Sequence, residues 1–190
     1  PFPVILCRAG YGRWSAVGYG KRASREGMAY VVMDLRKYDD GAHPGFQNPE
    51  SSRAQIADMA ATLDWLQQQS WCNGRVGTVG GSGNGFAANI GIWANHPAYV
   101  ACGAGNTAGH TVYYWAFQNG TARREYRWLS HLGNRYAPRR PTIPREPYDV
   151  PAWLAFIRER ARDCPTVYLN GTGWYDPLVQ GALDDFAALQ

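Results

Sequence analysis

A chain of 190 residues, 45% of them hydrophobic, is long enough to bury the core of one domain and short for two. No uninterrupted apolar run approaches the roughly eighteen residues of a transmembrane helix, which argues against a membrane-spanning protein. The formal net charge of +4 comes from one segment, residues 110–163, which contains ten arginines and five acidic residues. The rest of the chain is therefore close to neutral.

The first half of the chain alternates predicted strands and helices. The predicted elements are strands at residues 4–8 and 29–34, a long polar loop at 36–50, an amphipathic helix through residues 56–66, a turn at 73–74, a strand at 76–79, a helix at 86–93 and a short strand at 100–102. This order predicts an α/β fold with a mostly parallel sheet and helices on both faces. Ligands of such sheets bind at the carboxyl ends of the strands.

The second half changes in character at about residue 106. From there to residue 163 the chain is rich in Arg, Tyr, Trp and Pro and has no strand pattern, which predicts an inserted helical cap that ends in a helix at 153–162. A strand at 166–169 and a helix at 182–190 then resume the fold. We therefore divide the chain into 1–105, the first part of the α/β domain, 106–163, the cap, and 164–190, its incomplete continuation.

The arginine-rich and aromatic composition of the cap has three interpretations. It is compatible with a nucleic-acid surface, with a cap that favours carboxylate-bearing substrates, or with an ordinary exposed helical face. No nucleic-acid-binding motif accompanies the charge, so we expect a small-molecule or peptide substrate as the partner and neither nucleic acid nor membrane.

The cysteines predict free thiols rather than disulfides or a metal site. Cys7, Cys72, Cys102 and Cys164 are far apart, without a CxxC pair or a histidine at zinc-finger spacing. The chain begins at Pro1 and enters a core strand at once, so we expect it to be a piece of a longer or processed protein. The sequence leaves the compartment and the oligomeric state open.

The segment 76–85, VGTVGGSGNG, predicts a buried strand that delivers Ser82 onto a turn lined by glycine. A serine on a strained strand-to-helix corner is the arrangement of a nucleophile, and side chains at Gly80, Gly81 or Gly83 are expected to clash there with strand or helix. The usual pattern is Gly-x-Ser-x-Gly; here the last glycine, Gly85, comes one position late. A purely structural glycine turn is the alternative.

Acyl transfer by serine also needs a base, a group that orients the base, and donors for the oxyanion. Asp176, in a glycine-rich loop after the last predicted strand, is the candidate orienting carboxylate, and an ordinary turn aspartate before proline is its alternative. The N–H of Gly83 and the hydroxyl of Tyr11, in the loop after the first strand, are the candidate oxyanion donors. No metal or organic cofactor is required.

These residues resemble the α/β hydrolases of the cocaine esterase, glutaryl acylase, α-amino-acid ester hydrolase and X-Pro dipeptidyl-peptidase group. The most specific block is residues 64–77, DWLQQQSWCNGRVG, and the resemblance extends to the serine motif Gly-x-Ser-Tyr-x-Gly and to the loop Gly173-Trp174-Tyr175-Asp176. It implies an α/β hydrolase fold truncated at its C-terminus, Ser82 as nucleophile, Asp176 as triad acid, Tyr11 and Gly83 as oxyanion donors, and a helical cap over the site.

Two departures from the family pattern are apparent. Gly83 stands where the family usually has tyrosine, and no histidine follows Asp176, whereas the family's histidine lies downstream of the acid. His43, His96, His110 and His131 all precede Asp176, and His110 is the one we would test as a base. We therefore expect either part of a serine hydrolase for ester or amide bonds, inactive as this fragment, or a degenerate hydrolase-fold binding protein that lacks the triad histidine.

Overall fold

The computed structural model describes residues 1–35, 49–105, 117–118, 121–122, 150–176 and 178–190. Its strands are β1 (Phe2–Ala9), β2 (Ala29–Asp34), β3 (Cys72–Gly81), β4 (Tyr99–Gly105), β5 (Phe117–Gln118), β6 (Thr121–Ala122) and β7 (Val167–Gly171). Its α-helices are α1 (Gly18–Arg25), α2 (Pro49–Gln67), α3 (Gly83–Ala94), α4 (Val150–Ala161) and α5 (Val179–Ala188), and a short 3-10 helix, Arg13–Ala16, precedes α1.

Five of the strands form one parallel sheet in the order β2-β1-β3-β4-β7. Every connection between neighbouring strands in this sheet is therefore a crossover, as expected where helices cover both faces. This confirms the predicted α/β class and the placement of β4 next to β3. β5 and β6 make a separate antiparallel pair within a stretch for which the sequence predicted no strand.

The predicted elements agree with the structure apart from their ends and one turn. The structure extends β1 by two residues at the start and one at the end, begins α2 at Pro49 and lengthens β4 to Gly105. The turn at Asn73-Gly74 was predicted to precede the strand. This prediction was wrong, because both residues lie inside β3. Gly74 nevertheless has a φ of 82°, and the pairing of β1 with β3 shifts register between Phe2 and Val4, so the turn is a bulge.

One face of the sheet carries the main core. Helix α3 packs on β1, β3 and β4, α2 packs on α3 and β3, and α4 contacts both α3 and α5. The fully buried side chains of this core include Leu6, Met59, Leu63, Leu66, Val76, Ile90, Trp93, Tyr99 and Ile157. On the opposite face α1 covers β2, and Cys7, Ala9 and Ala16 form a smaller cluster that Tyr30 and Val32 complete.

That opposite face is open at β7. Val167 and Leu169 are 72% and 70% exposed, whereas Tyr168, which points to the other side of the strand, packs against the main core. β7 is also the last strand of the sheet. An apolar edge strand with an uncovered face is a surface that proteins ordinarily cover.

Several predictions fall partly or wholly outside the described residues. These include the loop at 36–48, most of the cap between 106 and 149 with most of its arginines, and the histidines at 43, 110 and 131. The helix predicted at 153–162 is confirmed as α4, although it begins three residues earlier than predicted, and its assignment to a cap stays a prediction. No helix in the described part of the chain has both the length and the apolar composition to cross a membrane.

The four cysteines are free thiols, as predicted. Cys7, Cys72 and Cys102 are buried and Cys164 is partly exposed. Burial raises the pKa of the Cys102 thiol to about 11, and burial also raises the pKa of Cys7. Because the thiolate is the nucleophilic form, these two side chains stay neutral and unreactive at physiological pH.

Candidate active site

Ser82 stands at the corner between β3 and α3. It is exposed, and its backbone has φ 53° and ψ −126°, a combination that L-residues rarely adopt. The other non-glycine residue with positive φ among the described residues, Asn95, has the ordinary left-handed geometry of a helix C-cap. The strain at Ser82 is therefore specific to the turn, and this strand-turn-helix geometry is the one that the sequence predicted.

Of the three glycines that the sequence singled out around Ser82, Gly80 is required by the backbone, Gly83 meets only a side chain that can shift, and Gly81 is unconstrained. A Cβ at Gly80 would overlap the backbone carbonyl of Asn84 and lie 2.8 Å from Gly85 N. A Cβ at Gly83 would lie 2.8 Å from the hydroxyl oxygen of Tyr11, which is the far end of a side chain. The prediction for Gly81 was wrong: its nearest neighbour, Gly105 O, would be at an ordinary 3.8 Å.

Tyr11 meets the serine turn from the loop after β1. Tyr11 Oη lies 3.1 Å from Ser82 Oγ, and the Gly83 N–H donates to the same Tyr11 Oη at 3.1 Å. The predicted nucleophile and the two predicted oxyanion donors are thus in mutual contact, although 71 residues separate Tyr11 from Ser82. The absence of a side chain at Gly83 is what allows the phenol to approach the amide this closely.

The loop that carries Tyr11 is anchored on both sides of it. The Gly10 N–H donates to Asn84 Oδ1 at 2.8 Å, and the Arg13 N–H donates to Asp34 Oδ1 at 2.5 Å. Asn84 directly precedes the late glycine of the motif, Gly85, and no role was predicted for it from the sequence. Its side-chain acceptor at the start of a helix, close in sequence to the serine, is the signal that could have identified it.

The carboxyl edge of the sheet brings the Asp176 loop to the same end of the molecule as Ser82. Gly81, Gly105 and Gly171 are neighbours in register on β3, β4 and β7, and the Ser82 N–H continues this ladder by donating to Gly105 O at 2.8 Å. Asp176 lies in the loop that follows Gly171. A row of three glycines leaves this edge free of side chains, which opens space between the two loops.

Asp176 makes the contacts of a turn aspartate. Its Oδ1 accepts a hydrogen bond from the Leu178 N–H at 2.8 Å, directly before α5. The ordinary turn interpretation of Asp176 therefore describes its local geometry. This geometry is compatible with a role in a triad, because the carboxylate has a second oxygen and its position is fixed by the first.

The described histidine lies away from this edge. His96 follows α3, its Nδ1 accepts from the Ala98 N–H at 3.1 Å, and its Nε2 lies 3.2 Å from Asp64 Oδ1 on α2. Since the amide occupies Nδ1, the proton of the neutral ring belongs on Nε2, where it is donated to Asp64. His96 thus links a helix to a loop at the amino end of β4.

A buried polar cluster links the strand and the helix that flank the Ser82 turn. Thr78 Oγ1 lies 2.5 Å from Tyr99 Oη, and the Tyr99 hydroxyl donates to Ala88 O at 2.9 Å, which joins β3, β4 and α3. Burial raises the pKa of Tyr99 well above its usual value, so the phenol remains neutral. A rigid scaffold of this kind is suited to hold a strained turn.

The described residues contain no group of three or more His, Cys, Asp or Glu side chains that could hold a metal ion. The polar atoms that converge at the edge are a hydroxyl, a phenol and an amide, which are groups for attack on a carbonyl and stabilisation of an oxyanion.

Residues 1–149 match the family of X-Pro dipeptidyl-peptidases designated S15. The chain belongs to this family. The match spans the serine turn and the Tyr11 loop and ends before the Asp176 loop. Membership in this family confirms the resemblance drawn from the sequence and points to a hydrolase.

Two relatives are named as esterases. A proposed serine esterase of Mycobacterium bovis is 37% identical over 78 residues, which is 41% of this chain and 12% of the relative. The cocaine esterase of a Rhodococcus species is 30% identical over 88 residues, 42% of this chain and 14% of the relative. The matched segments are thus a small part of much longer proteins.

A solved structure supports the fold over the whole chain. An α-amino acid ester hydrolase superposes on 99% of this chain with a TM-score of 0.63 and 19% sequence identity, and 41% of that protein is covered. At this identity the likeness establishes the α/β hydrolase fold.

Proposed function

We propose that this chain is the nucleophile-bearing part of a serine hydrolase that cleaves ester or amide bonds through an acyl-enzyme on Ser82. The observation that carries the proposal is the convergence of Ser82 Oγ, Tyr11 Oη and the Gly83 N–H, each within 3.1 Å of the next, on a strained and exposed turn. Strained residues cluster at functional sites, and here the strained residue is a hydroxyl nucleophile beside two oxyanion donors, which favours catalysis over binding alone.

In the proposed reaction Ser82 Oγ bonds to the carbonyl carbon while its proton passes to a general base. The carbonyl π electrons move to oxygen, and the oxyanion is stabilised by the Gly83 N–H and the Tyr11 O–H. Collapse of the tetrahedral intermediate breaks the bond to the alcohol or amine, which takes the proton from the base. Water then repeats the sequence on the ester at Ser82 and releases the acid.

Substrate binding requires a small rearrangement of Tyr11. In the structure the Gly83 N–H donates to Tyr11 Oη, so one oxyanion donor is satisfied by the other. A carbonyl oxygen that binds beside Ser82 takes over this hydrogen bond and receives a second one from the phenol. Tyr11 is 52% exposed, so its hydroxyl is open to an incoming carbonyl while the loop backbone stays in place.

The general base is proposed to be a histidine of the full-length protein outside these 190 residues, held by Asp176. No histidine follows Asp176 in this sequence. The support for further polypeptide beside the Asp176 loop is the uncovered apolar face at Val167 and Leu169, together with the much greater length of the relatives.

Among the reactions open to such a site we favour ester hydrolysis, because both relatives and the solved structure are named for it. Dipeptidyl and acyl amides are the alternative substrates that we propose, in keeping with the family name. The arginines of the predicted cap lead us to expect a preference for carboxylate-bearing substrates. Equal hydrolysis rates on neutral and acidic acyl esters would contradict this expectation.

The proposal is tested with a biotinylated fluorophosphonate on the folded full-length protein. We expect covalent labelling that mass spectrometry maps to Ser82 and that prior denaturation abolishes, because only an activated serine reacts. An unlabelled Ser82 in folded protein would favour the alternative predicted from the sequence, a hydrolase-fold binding protein without catalysis.

Tyr11→Phe is expected to lower kcat toward p-nitrophenyl acetate by about 10²-fold with little change in KM, because the phenol oxygen acts on charge that develops in the transition state. Steady-state kinetics of the purified full-length variant measure both constants. Tyr19→Phe is the matched control, since Tyr19 is an exposed tyrosine on α1. Equal kcat values for the wild type and Tyr11→Phe would remove Tyr11 from the oxyanion site.

A further inference from the structure

The hydrogen bonds of the Tyr11 hydroxyl hold the end of the side chain, and the loop backbone depends on other restraints. Tyr11 lies between Gly10 and Gly12, Gly12 has a φ of 88°, and the tyrosine side chain is about half exposed. Glycines on both sides give this loop a large choice of backbone conformations. Because oxyanion donors act only when they are held in place before reaction, the loop needs anchors that fix its backbone.

Asn84 supplies the nearer anchor. It is 8% exposed, and its Oδ1 accepts the hydrogen bond from the Gly10 N–H at 2.8 Å, one residue before Tyr11. Its own backbone is wedged against the strand, because the Asn84 carbonyl lies where a Cβ of Gly80 would be. Asn84 is therefore fixed relative to the serine turn and transmits that position to the Tyr11 loop.

The farther anchor is more exposed to solvent. The Arg13 N–H donates to Asp34 Oδ1, and Arg13 Nη1 lies 3.6 Å from Asp34 Oδ2, but both side chains are about half exposed. Exposed ion pairs contribute little to stability. The hydrogen bond to Asn84 is partly buried and lies one residue from Tyr11, so it is the better shielded of these two restraints on the loop backbone.

We propose that Asn84 is a positioning residue that sets the Tyr11 hydroxyl over Ser82 and Gly83 through its hydrogen bond to Gly10. This inference rests on the proposed function and goes beyond it. Three successive residues then serve one purpose: Ser82 attacks, Gly83 donates its N–H to the oxyanion, and Asn84 holds the loop that brings the second donor.

The test is a double-mutant cycle between Asn84 and Tyr11, with fluorophosphonate as the probe of the full-length protein. Asn84→Ala is expected to lower the maximal labelling rate by about 10- to 100-fold with the half-saturating probe concentration unchanged, since binding does not need the restraint. In the Tyr11→Phe background the same substitution is expected to change the rate by less than about threefold.

Asn84→Ser is run beside Asn84→Ala. Serine is polar and smaller than asparagine, so it fits the site of Asn84 without a clash, and its shorter side chain does not carry an oxygen to the position of Oδ1. Asn73→Ala is the matched control, because Asn73 Oδ1 accepts a similar bond from the Arg75 N–H at 3.1 Å in the bulge of β3, away from the serine turn. We expect it to label at the wild-type rate.

A full loss of labelling rate in both backgrounds would overturn the proposal, because Asn84 would then act independently of Tyr11. Unchanged labelling by both Asn84 variants in the wild-type background would overturn it as well. Either result differs from failure of the proposed function, in which the wild-type protein itself is not labelled at Ser82.

Discussion

Ser82→Ala in the full-length protein is expected to lower kcat/KM toward p-nitrophenyl acetate by about a thousandfold or more, to the activity that binding and the oxyanion donors alone support. Alanine keeps the Cβ of serine, so the strained backbone at φ 53° is unchanged and the loss reports on Oγ alone. The measurement is the rate of nitrophenol release by purified protein whose circular dichroism matches the wild type.

Two controls separate chemistry from folding in this experiment. Ser24→Ala removes an exposed hydroxyl on α1 and should leave activity unchanged. Ser82→Gly should be as inactive as Ser82→Ala. It should melt at a higher temperature than both the wild type and Ser82→Ala, since glycine adopts positive φ without strain. Ester hydrolysis that persists in Ser82→Ala would show that another group is the nucleophile.

The serine turn could be predicted from sequence because its determinants are local. A strand pattern, glycines at 80 and 83 and a helical pattern all lie within about twenty residues of one another, and backbone sterics dictates the rest. The parallel sheet followed from the alternation of strands and helices for the same reason. Tyr11 was assigned through its loop position, and its hydrogen bond with the Gly83 N–H is a contact between distant parts of the chain that the fold creates.

Other features depend on contacts between distant parts of the chain. Helix α1 was not predicted from the sequence, because its two glycines weaken helix propensity. The structure shows why one of them is there: a Cβ at Gly20 would lie 2.9 Å from the ring of Tyr30 on β2. The same limitation applies to Asn84, because its value lies in a hydrogen bond to Gly10, 74 residues away.

The error at Gly81 shows the limit of reasoning from motifs. Glycines that are neighbours in sequence point to opposite faces of a strand, so they meet different surroundings. Gly80 faces the first turn of α3, where backbone atoms leave no room, while Gly81 faces the open side of the sheet beside Gly105. The motif predicts that small residues surround the serine and does not distinguish which of them is essential.

Gly80→Ala is accordingly expected to destabilise the β3–α3 unit by about 3 kcal/mol. The added Cβ would overlap the carbonyl of Asn84 and the amide of Gly85. These are backbone atoms of a helix, so they cannot shift without disturbing its hydrogen bonds. Relief of the overlap would shift the first turn of α3, which carries Gly83 and Asn84, so labelling of Ser82 should fall as well.

Gly81→Ala is the matched control for Gly80→Ala. The same methyl group one residue later meets Gly105 O at an ordinary 3.8 Å, so its effect on stability should stay within about 1 kcal/mol. Hydrogen exchange of peptides covering residues 83–94 in the full-length protein measures both effects locally. Equal protection of α3 in the two variants would mean that the turn yields readily, and the strain at Ser82 would then need support from elsewhere in the fold.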